Sequence, residues 1–190
     1  MDLFTAMMER RRCRSFSSEP NDDALIDKII EAGTWAPSPL NSQPWEFVVV
    51  TNDALLEKIV SASEECKQWA IEKSGWKWLE KYSIQFLKSA PVAVAVVGDP
   101  KKTGVDMFME GGGVAYQHAC AAAIQNMHLA AHALGLGSLW FTLFDRGSLT
   151  TILDIAPEKV PLALVYLGKP AGAPVQAPRK SAEKKTTFIR

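Results

Sequence analysis

The sequence is poor in cysteine, lacks a long apolar run and carries no net charge, and each shortage removes a class of protein. Cys13, Cys66 and Cys120 are its only cysteines and form no CxxC pair. Neither a disulfide framework nor a zinc site is indicated, and a reducing, cytoplasmic setting is the expectation. The longest apolar stretch, Pro91 to Val97, falls far short of the roughly 20 residues that span a bilayer. The N-terminal MDLFTAMMERRRCR places its basic residues after its apolar ones, unlike a secretory leader. Basic and acidic residues balance at 21 each, so no overall field draws the chain to nucleic acid or an anionic membrane. Anion binding therefore has to come from local clustering. Gly111-Gly112-Gly113 lacks the Lys-Ser/Thr of a phosphate loop. Glu64 and Glu65 have no carboxylate partner at a spacing useful for paired acid–base hydrolysis.

What is present fits one domain over residues 1–190, a length sufficient to bury a core. Leu3, Phe4, Met7 and Met8 recur at helical spacing over residues 2–9. Asn21 is a candidate N-cap for a second helix carrying Leu25, Ile26, Ile29 and Ile30, with Gly33 as its end. Trp45 to Val50 reads as a buried strand, a helix follows from about Asp53, and an aromatic amphipathic segment covers roughly 76–88. Pro91–Gly98, apolar on both faces, reads as a central strand. The longest helix, Val114 to Leu134, is apolar nearly all round, so it lies at the centre of the domain or against a partner chain. Ser138–Thr142, a helix over Arg146–Leu153 and a strand over Pro161–Gly168 complete the pattern. Residues from about 170 to 190 have no periodicity and form a loose tail or an arm. Helices and strands do not alternate strictly, so the expected class is α+β, with helices around a small mixed central sheet.

Three features carry chemistry. Arg10, Arg11, Arg12 and Arg14 put four guanidiniums within five residues. They form either a phosphate pocket, since arginine presents a planar fork of donors, or a solvated basic turn offsetting the C-terminal end of the first helix. The Ala36–Trp45 loop holds Ser38, Asn41 and Gln43 between prolines. Its polar groups are fixed in direction with little entropy left to lose on binding, or they simply face water. Gly135-Leu136-Gly137-Ser138-Leu139-Trp140 lets backbone approach a flat ligand, or serves as a helix cap leading into a strand. It follows a helix and is no GxGxxG fingerprint, so a Rossmann-type dinucleotide site is not indicated.

In this order the three features resemble the nitroreductase family of FMN-dependent oxidoreductases. The resemblance rests on the N-terminal arginine stretch, on APSPLNSQPWEFVVV, on the Ala-rich helix ending in LGLGSLW, and on Leu167 to Pro170 before Arg179. It spans about residues 4 to 180. One departure is Arg12, which stands where many relatives have serine and so forfeits a hydroxyl hydrogen bond. The resemblance implies that Arg10, Arg11, Arg12, Arg14 and Arg179 hold the cofactor phosphate. It implies that Pro37, Ser38, Pro39 and Asn41 reach the flavin of the other subunit of a homodimer. Backbone at Trp140, Phe141, Thr142 and Leu143 would lie against the ring. It further implies hydride transfer from NADH or NADPH through N5 of FMN to a small oxidised acceptor such as a nitroaromatic or quinone, with ping-pong kinetics. No catalytic side chain is implied; Arg14 is the candidate for tuning the flavin. Two alternatives stay open: a flavin protein of the same fold doing dehalogenation or flavin breakdown, and a non-enzymatic anion- or nucleotide-binding module.

Other residues read more plainly. His128 and His132 are spaced i, i+4 on the long helix and His118 precedes them, but no HExxH or nearby acid completes a metal site. Cys13 among arginines is expected to have a lowered pKa. Trp69, Trp76, Trp78 and Tyr82 belong to the core, to an aromatic pocket wall or to a lid.

Overall fold

The computed structural model describes residues 1–19 and 22–190, and its architecture follows from a sheet whose two inner strands are apolar on both faces. Strand β1 (Trp45–Val50), β2 (Val92–Gly98), β3 (Gly137–Phe141) and β4 (Val160–Gly168) form one sheet in the order β1-β2-β4-β3. Every residue of β2 is buried, as its sequence requires. Successive side chains along a strand point to opposite faces. Val92, Val94 and Val96 accordingly join Val165 and Leu167 in one core, while Ala93 and Ala95 join Leu164 and Tyr166 in the other.

Helices α2 (Asp23–Thr34) and α5 (Ala115–Ala133) cover the first face, α5 burying Cys120, Ala123, Ile124, Met127 and Ala131 completely. The second face is covered by α3 (Asp53–Ser74), α6 (Arg146–Ile152) and the turn at Gln85–Ser89. The short α1 (Leu3–Glu9) is capped by the Asp2 carboxylate, which accepts from the Thr5 amide at 3.1 Å. Helix α4 (Lys77–Glu80) is a single turn. Asp106 caps α5 from eight residues upstream, accepting from Val114 and Ala115 amides at 2.6 and 2.8 Å. No helix among the described residues is long and apolar enough to cross a membrane.

The α+β class, the four strands and the central long helix agree with the sequence expectation. Three details differ. All strand pairs are antiparallel, and among the described residues the one parallel pairing is the single bridge Arg12↔Ser138, so the sheet is not mixed in its body. Strands apolar on both faces arise here because helices cover both sides, a condition that parallel and antiparallel sheets meet equally well. Gly33 does not end α2 but lies in its last turn. A Cβ there would come within 3.1 Å of both Met127 Cγ and Phe47 Cζ, so the glycine is a packing notch for α5. The side chain that caps α2 is Asp22, which accepts from the Ala24 amide at 2.9 Å, whereas Asn21 lies outside the described residues. The aromatic segment splits its duties. Leu79, Ile84 and Leu87 are buried, while Trp69, Trp76 and Trp78 stay 56–60% exposed.

Candidate functional site

The chain leaves α1 at Arg10 and runs extended along the open edge of the sheet. It is stitched there by backbone bonds from the Cys13 amide to Ser138 O (2.9 Å), the Ser17 amide to Lys169 O (2.8 Å) and the Ala171 amide to Ser15 O (2.9 Å). These bonds draw three separate stretches of sequence together: the arginine run, the turn between α5 and β3, and the start of the C-terminal arm. Two glycines make the turn possible. Gly135 ends α5 in the left-handed region at φ 79°. Gly137 sits against Cys13, where a Cβ would come 2.7 Å from both Cys13 Cβ and Sγ.

The three stretches enclose a cavity of about 500 Å³, lined by residues 10–15, His132, residues 135–138, Pro170 and residues 172–175, with Met1 at its edge. That volume lies within the roughly 300–1,000 Å³ typical of small-molecule sites. Arg10 and Arg11 are half-buried, and Arg12 and Arg14 exposed. Burial, reinforced by the nearby cations Arg179 and Arg11, pushes the Arg10 guanidinium below its ordinary proton affinity. Among the described residues every ion pair is made by a lysine, so no carboxylate neutralises this cluster. Arg11 instead donates to Gln176 Oε1 at 2.7 and 3.1 Å, tying the C-terminal arm to the cavity wall.

Arg14 lines the cavity but turns its guanidinium to the aromatic segment. It donates to the Tyr82 hydroxyl at 3.1 Å and lies 5.1 and 5.3 Å from the ring centroids of Tyr82 and Phe86. From Tyr82 the aromatic contacts continue to Trp78 and Trp76, with centroids 6.1 and 5.7 Å apart. The lowered pKa expected for Cys13 is not found. Half-burial raises it, because desolvation penalises the thiolate, and this outweighs the opposing influence of the Ser15 backbone; the thiol itself donates to Ser15 O at 3.1 Å, which favours its protonated form.

Beneath the turn, buried His128 holds Ser138 Oγ at 2.7 Å through Nδ1, and its ring stacks 6.1 Å from Trp140. Burial first, and the Arg10 charge second, lower its pKa from 6.5 to about 4. A folded-state pKa below the unfolded one means the native state takes up fewer protons. Stability contributed by neutral His128 is therefore complete above pH 6.5 and lost as pH falls from there toward 4. Unfolding free energy should fall by about 2 kcal/mol between pH 7.5 and pH 5 from this residue alone. Urea titrations of the wild type and His128→Gln at both pH values would test this; an equal drop in both proteins refutes it.

Beyond Ser138, Trp140 is partly exposed and Thr142 exposed, Leu143 is half-buried, and Phe141 is buried edge-on to Tyr166 at 5.9 Å. Phe141 thus offers a ligand only its backbone. The proline loop lies elsewhere and lines no part of the arginine cavity; it packs against residues 104–108, with Pro39 tight on Gly104. It is internally tied, Ser38 Oγ accepting from the Gln43 amide at 3.0 Å and Asn41 Oδ1 from Gln43 Nε2 at 3.3 Å. Leu40, Asn41 and Gln43 all take left-handed φ values of 46–53°, and strained non-glycine backbone of this kind clusters at functional sites. Pro37 and Asn41 are exposed, Ser38 and Pro39 half-buried. One chain thus unites the arginines with the glycine turn and leaves the loop apart.

Sequence reasoning assigned no role in the cavity to His132 or to residues 172–175, while Ser138 lay within the glycine stretch it singled out. The i, i+4 spacing of His128 and His132 is the available signal, and by itself it does not distinguish a metal ligand from a wall residue.

Residues 7–169 match the model of the nitroreductase family. A protein of Methanothermobacter thermautotrophicus, provisionally named an NADH dehydrogenase/NAD(P)H nitroreductase, is 32% identical over 178 residues, covering 92% of this chain and 80% of its own. The 5,6-dimethylbenzimidazole synthase of Rhodospirillum rubrum is 28% identical, covering 85% of this chain and 81% of its own. Among solved structures, a provisionally assigned nitroreductase of Desulfovibrio desulfuricans in complex with FMN superposes with a TM-score of 0.75 at 27% identity, over 100% of this chain and 98% of that one. A family match across most of the chain, on a fold shared with an FMN-bound member, establishes that this chain belongs to the nitroreductase family.

Proposed function

We propose that the chain is an FMN-dependent oxidoreductase that takes hydride from NADH or NADPH and delivers it to a small oxidised acceptor, a nitroaromatic, quinone or similar compound. The observation that carries the reading is a set of arginines without carboxylate partners walling a cavity beside the glycine turn. The cavity residues fit FMN: the uncompensated cations suit a phosphate monoester, and a buried imidazole nitrogen of His132 lacks a partner there. Arg10, Arg11, Arg12 and Arg179 hold the phosphate, and backbone from Trp140 to Leu143 borders the ring. Arg14, kept in place by Tyr82 and Phe86, adjusts the flavin's potential. The bound flavin supplies the hydride chemistry at N5, so the protein's work is holding, orienting and excluding water.

Pro37, Ser38, Pro39 and Asn41 serve the site of a second copy. Support for such a homodimer is the exposed apolar surface beside that loop, with Trp35, Leu40 and Phe108 each about 80% exposed. Three free thiols support a reducing, cytoplasmic setting.

Purified protein should show flavin absorption bands or acquire them on titration with FMN, elute as a dimer, and give parallel double-reciprocal lines with NAD(P)H and a quinone. Colourless protein that takes up no FMN refutes the cofactor reading and favours a bare anion-binding module. FMN binding without NAD(P)H-dependent turnover favours a different chemistry, in keeping with a relative named for another activity, 5,6-dimethylbenzimidazole synthase.

A further inference from the structure

Three buried side-chain polar atoms among the described residues lack a hydrogen-bond partner, Ser63 Oγ, Tyr166 Oη and Nε2 of the half-buried His132, and of these residues only His132 lines the arginine cavity. It occupies the last turn of α5, and its ring lines the arginine cavity. Its Nε2 is buried without a hydrogen-bond partner. The carbonyls at the helix end accept from backbone amides, Ala130 O from Leu134 N, His132 O from Gly135 N and Ala131 O from Leu136 N, and none of them pairs with Nε2. A buried polar nitrogen left unpaired is costly, so Nε2 calls for a partner from outside the protein chain, a water or a bound ligand.

The neighbours say what kind of partner. Residues four apart on a helix share a face, so His132 lies on the same side of α5 as His128. The charge of Arg10 is felt at His128, and Arg10 also lines the cavity with His132. His132 therefore lines one cavity with Arg10, Arg11 and Arg12, the Arg14 guanidinium being turned to Tyr82 and Phe86, with Cys13 as the other titratable side chain on the wall and, among the described residues, no carboxylate paired to the arginines. An acceptor-rich anion is the partner that meets the needs of both sides. It neutralises the guanidiniums and accepts from the imidazole N–H.

We propose that His132 hydrogen-bonds through Nε2 to the phosphate of the bound flavin mononucleotide, completing from α5 the anion site begun by the arginines. The proposal rests on the cofactor reading above and assigns a further binding residue to that site. It separates His132 from His128 in role: His128 is satisfied by Ser138 and shapes the turn, whereas His132 is satisfied by the ligand.

The test compares FMN with riboflavin, which has the same ring and ribityl chain but no phosphate. Dissociation constants for both are measured by fluorescence quenching with wild type, His132→Phe and His132→Gln, with thermal melts of the ligand-free proteins as a folding control. Phe keeps the ring's volume and loses the donor, so FMN affinity should weaken by about 10- to 100-fold, the range of one hydrogen bond to a charged group. Riboflavin affinity should stay within about two-fold of wild type, as expected for a ligand without the partner group. Gln restores an N–H donor and should recover much of the FMN affinity. An unchanged ratio of FMN to riboflavin affinity in His132→Phe, or equal weakening of both flavins in a protein that melts normally, overturns the proposal. Wild-type protein that binds neither flavin overturns the cofactor reading, and this inference with it.

Discussion

Arg10→Met is expected to separate stability from binding, leaving the ligand-free protein as stable as wild type or more so while weakening FMN affinity by about 10- to 100-fold. The opposite signs come from one cause. In the free chain Arg10 is half-buried and close to Arg11 and Arg179, and among the described residues no acid pairs with it. Its charge is desolvated and repelled, a state the fold tolerates only because something else stabilises it later. Methionine keeps the apolar stem that packs at this position and removes the charge, so cavity formation does not confuse the result. Loss of one charge-assisted bond to phosphate costs about 1.5–3 kcal/mol, which sets the expected fold-change. Melting curves without ligand and FMN titrations at low and high salt would check both halves. A variant that melts lower and binds FMN as tightly as wild type would show Arg10 to be a structural residue.

Much of this molecule was legible in its sequence because the strongest signals were local. The apolar run at Pro91–Gly98 became the fully buried β2, and the Ala-rich stretch became α5 within a residue at each end. Four arginines in five residues pointed to a phosphate pocket or a solvated basic turn, and the fold places all four on the lining of one cavity, with the Arg14 guanidinium turned to Tyr82. The failures share a different physics. Strand direction is invisible to hydropathy when helices cover both faces. The neighbouring arginines make Cys13 look activated, yet the thiol is half-buried against Gly137, so burial decides its pKa. His132 was grouped with His128 by spacing. Whether each is satisfied depends on Ser138, ten residues from His128 and brought back by the turn at Gly135. Arg14 joined the cluster by adjacency, but its contacts with Tyr82 and Phe86 depend on a segment about 70 residues away.

Gly137→Ala should be the most damaging single-methyl change at this site, because it strikes the seam that holds the arginine run to the sheet. The added carbon would lie 2.7 Å from Cys13 Cβ, an atom fixed to backbone, and 2.7 Å from its Sγ. Rotating the cysteine relieves only the second contact. The first requires residues 12–14 to move outward, and those residues are pinned by the Cys13–Ser138 backbone bond and the Arg12↔Ser138 bridge. Overpacking of this kind costs about 1–3 kcal/mol, and the displaced Arg12 and Arg14 would leave their places on the cavity wall. Stability and FMN affinity should therefore fall together, in contrast to Arg10→Met. Cys13→Gly removes both clashing atoms, so the double variant Gly137→Ala/Cys13→Gly should be more stable than the sum of the single effects predicts, by about 1 kcal/mol or more. Urea unfolding of the four proteins in that cycle, with FMN titration of each, measures the coupling. Strict additivity would mean that the two residues do not meet, and that the N-terminal strip is positioned by the bonds at Ser15 and Ser17 instead.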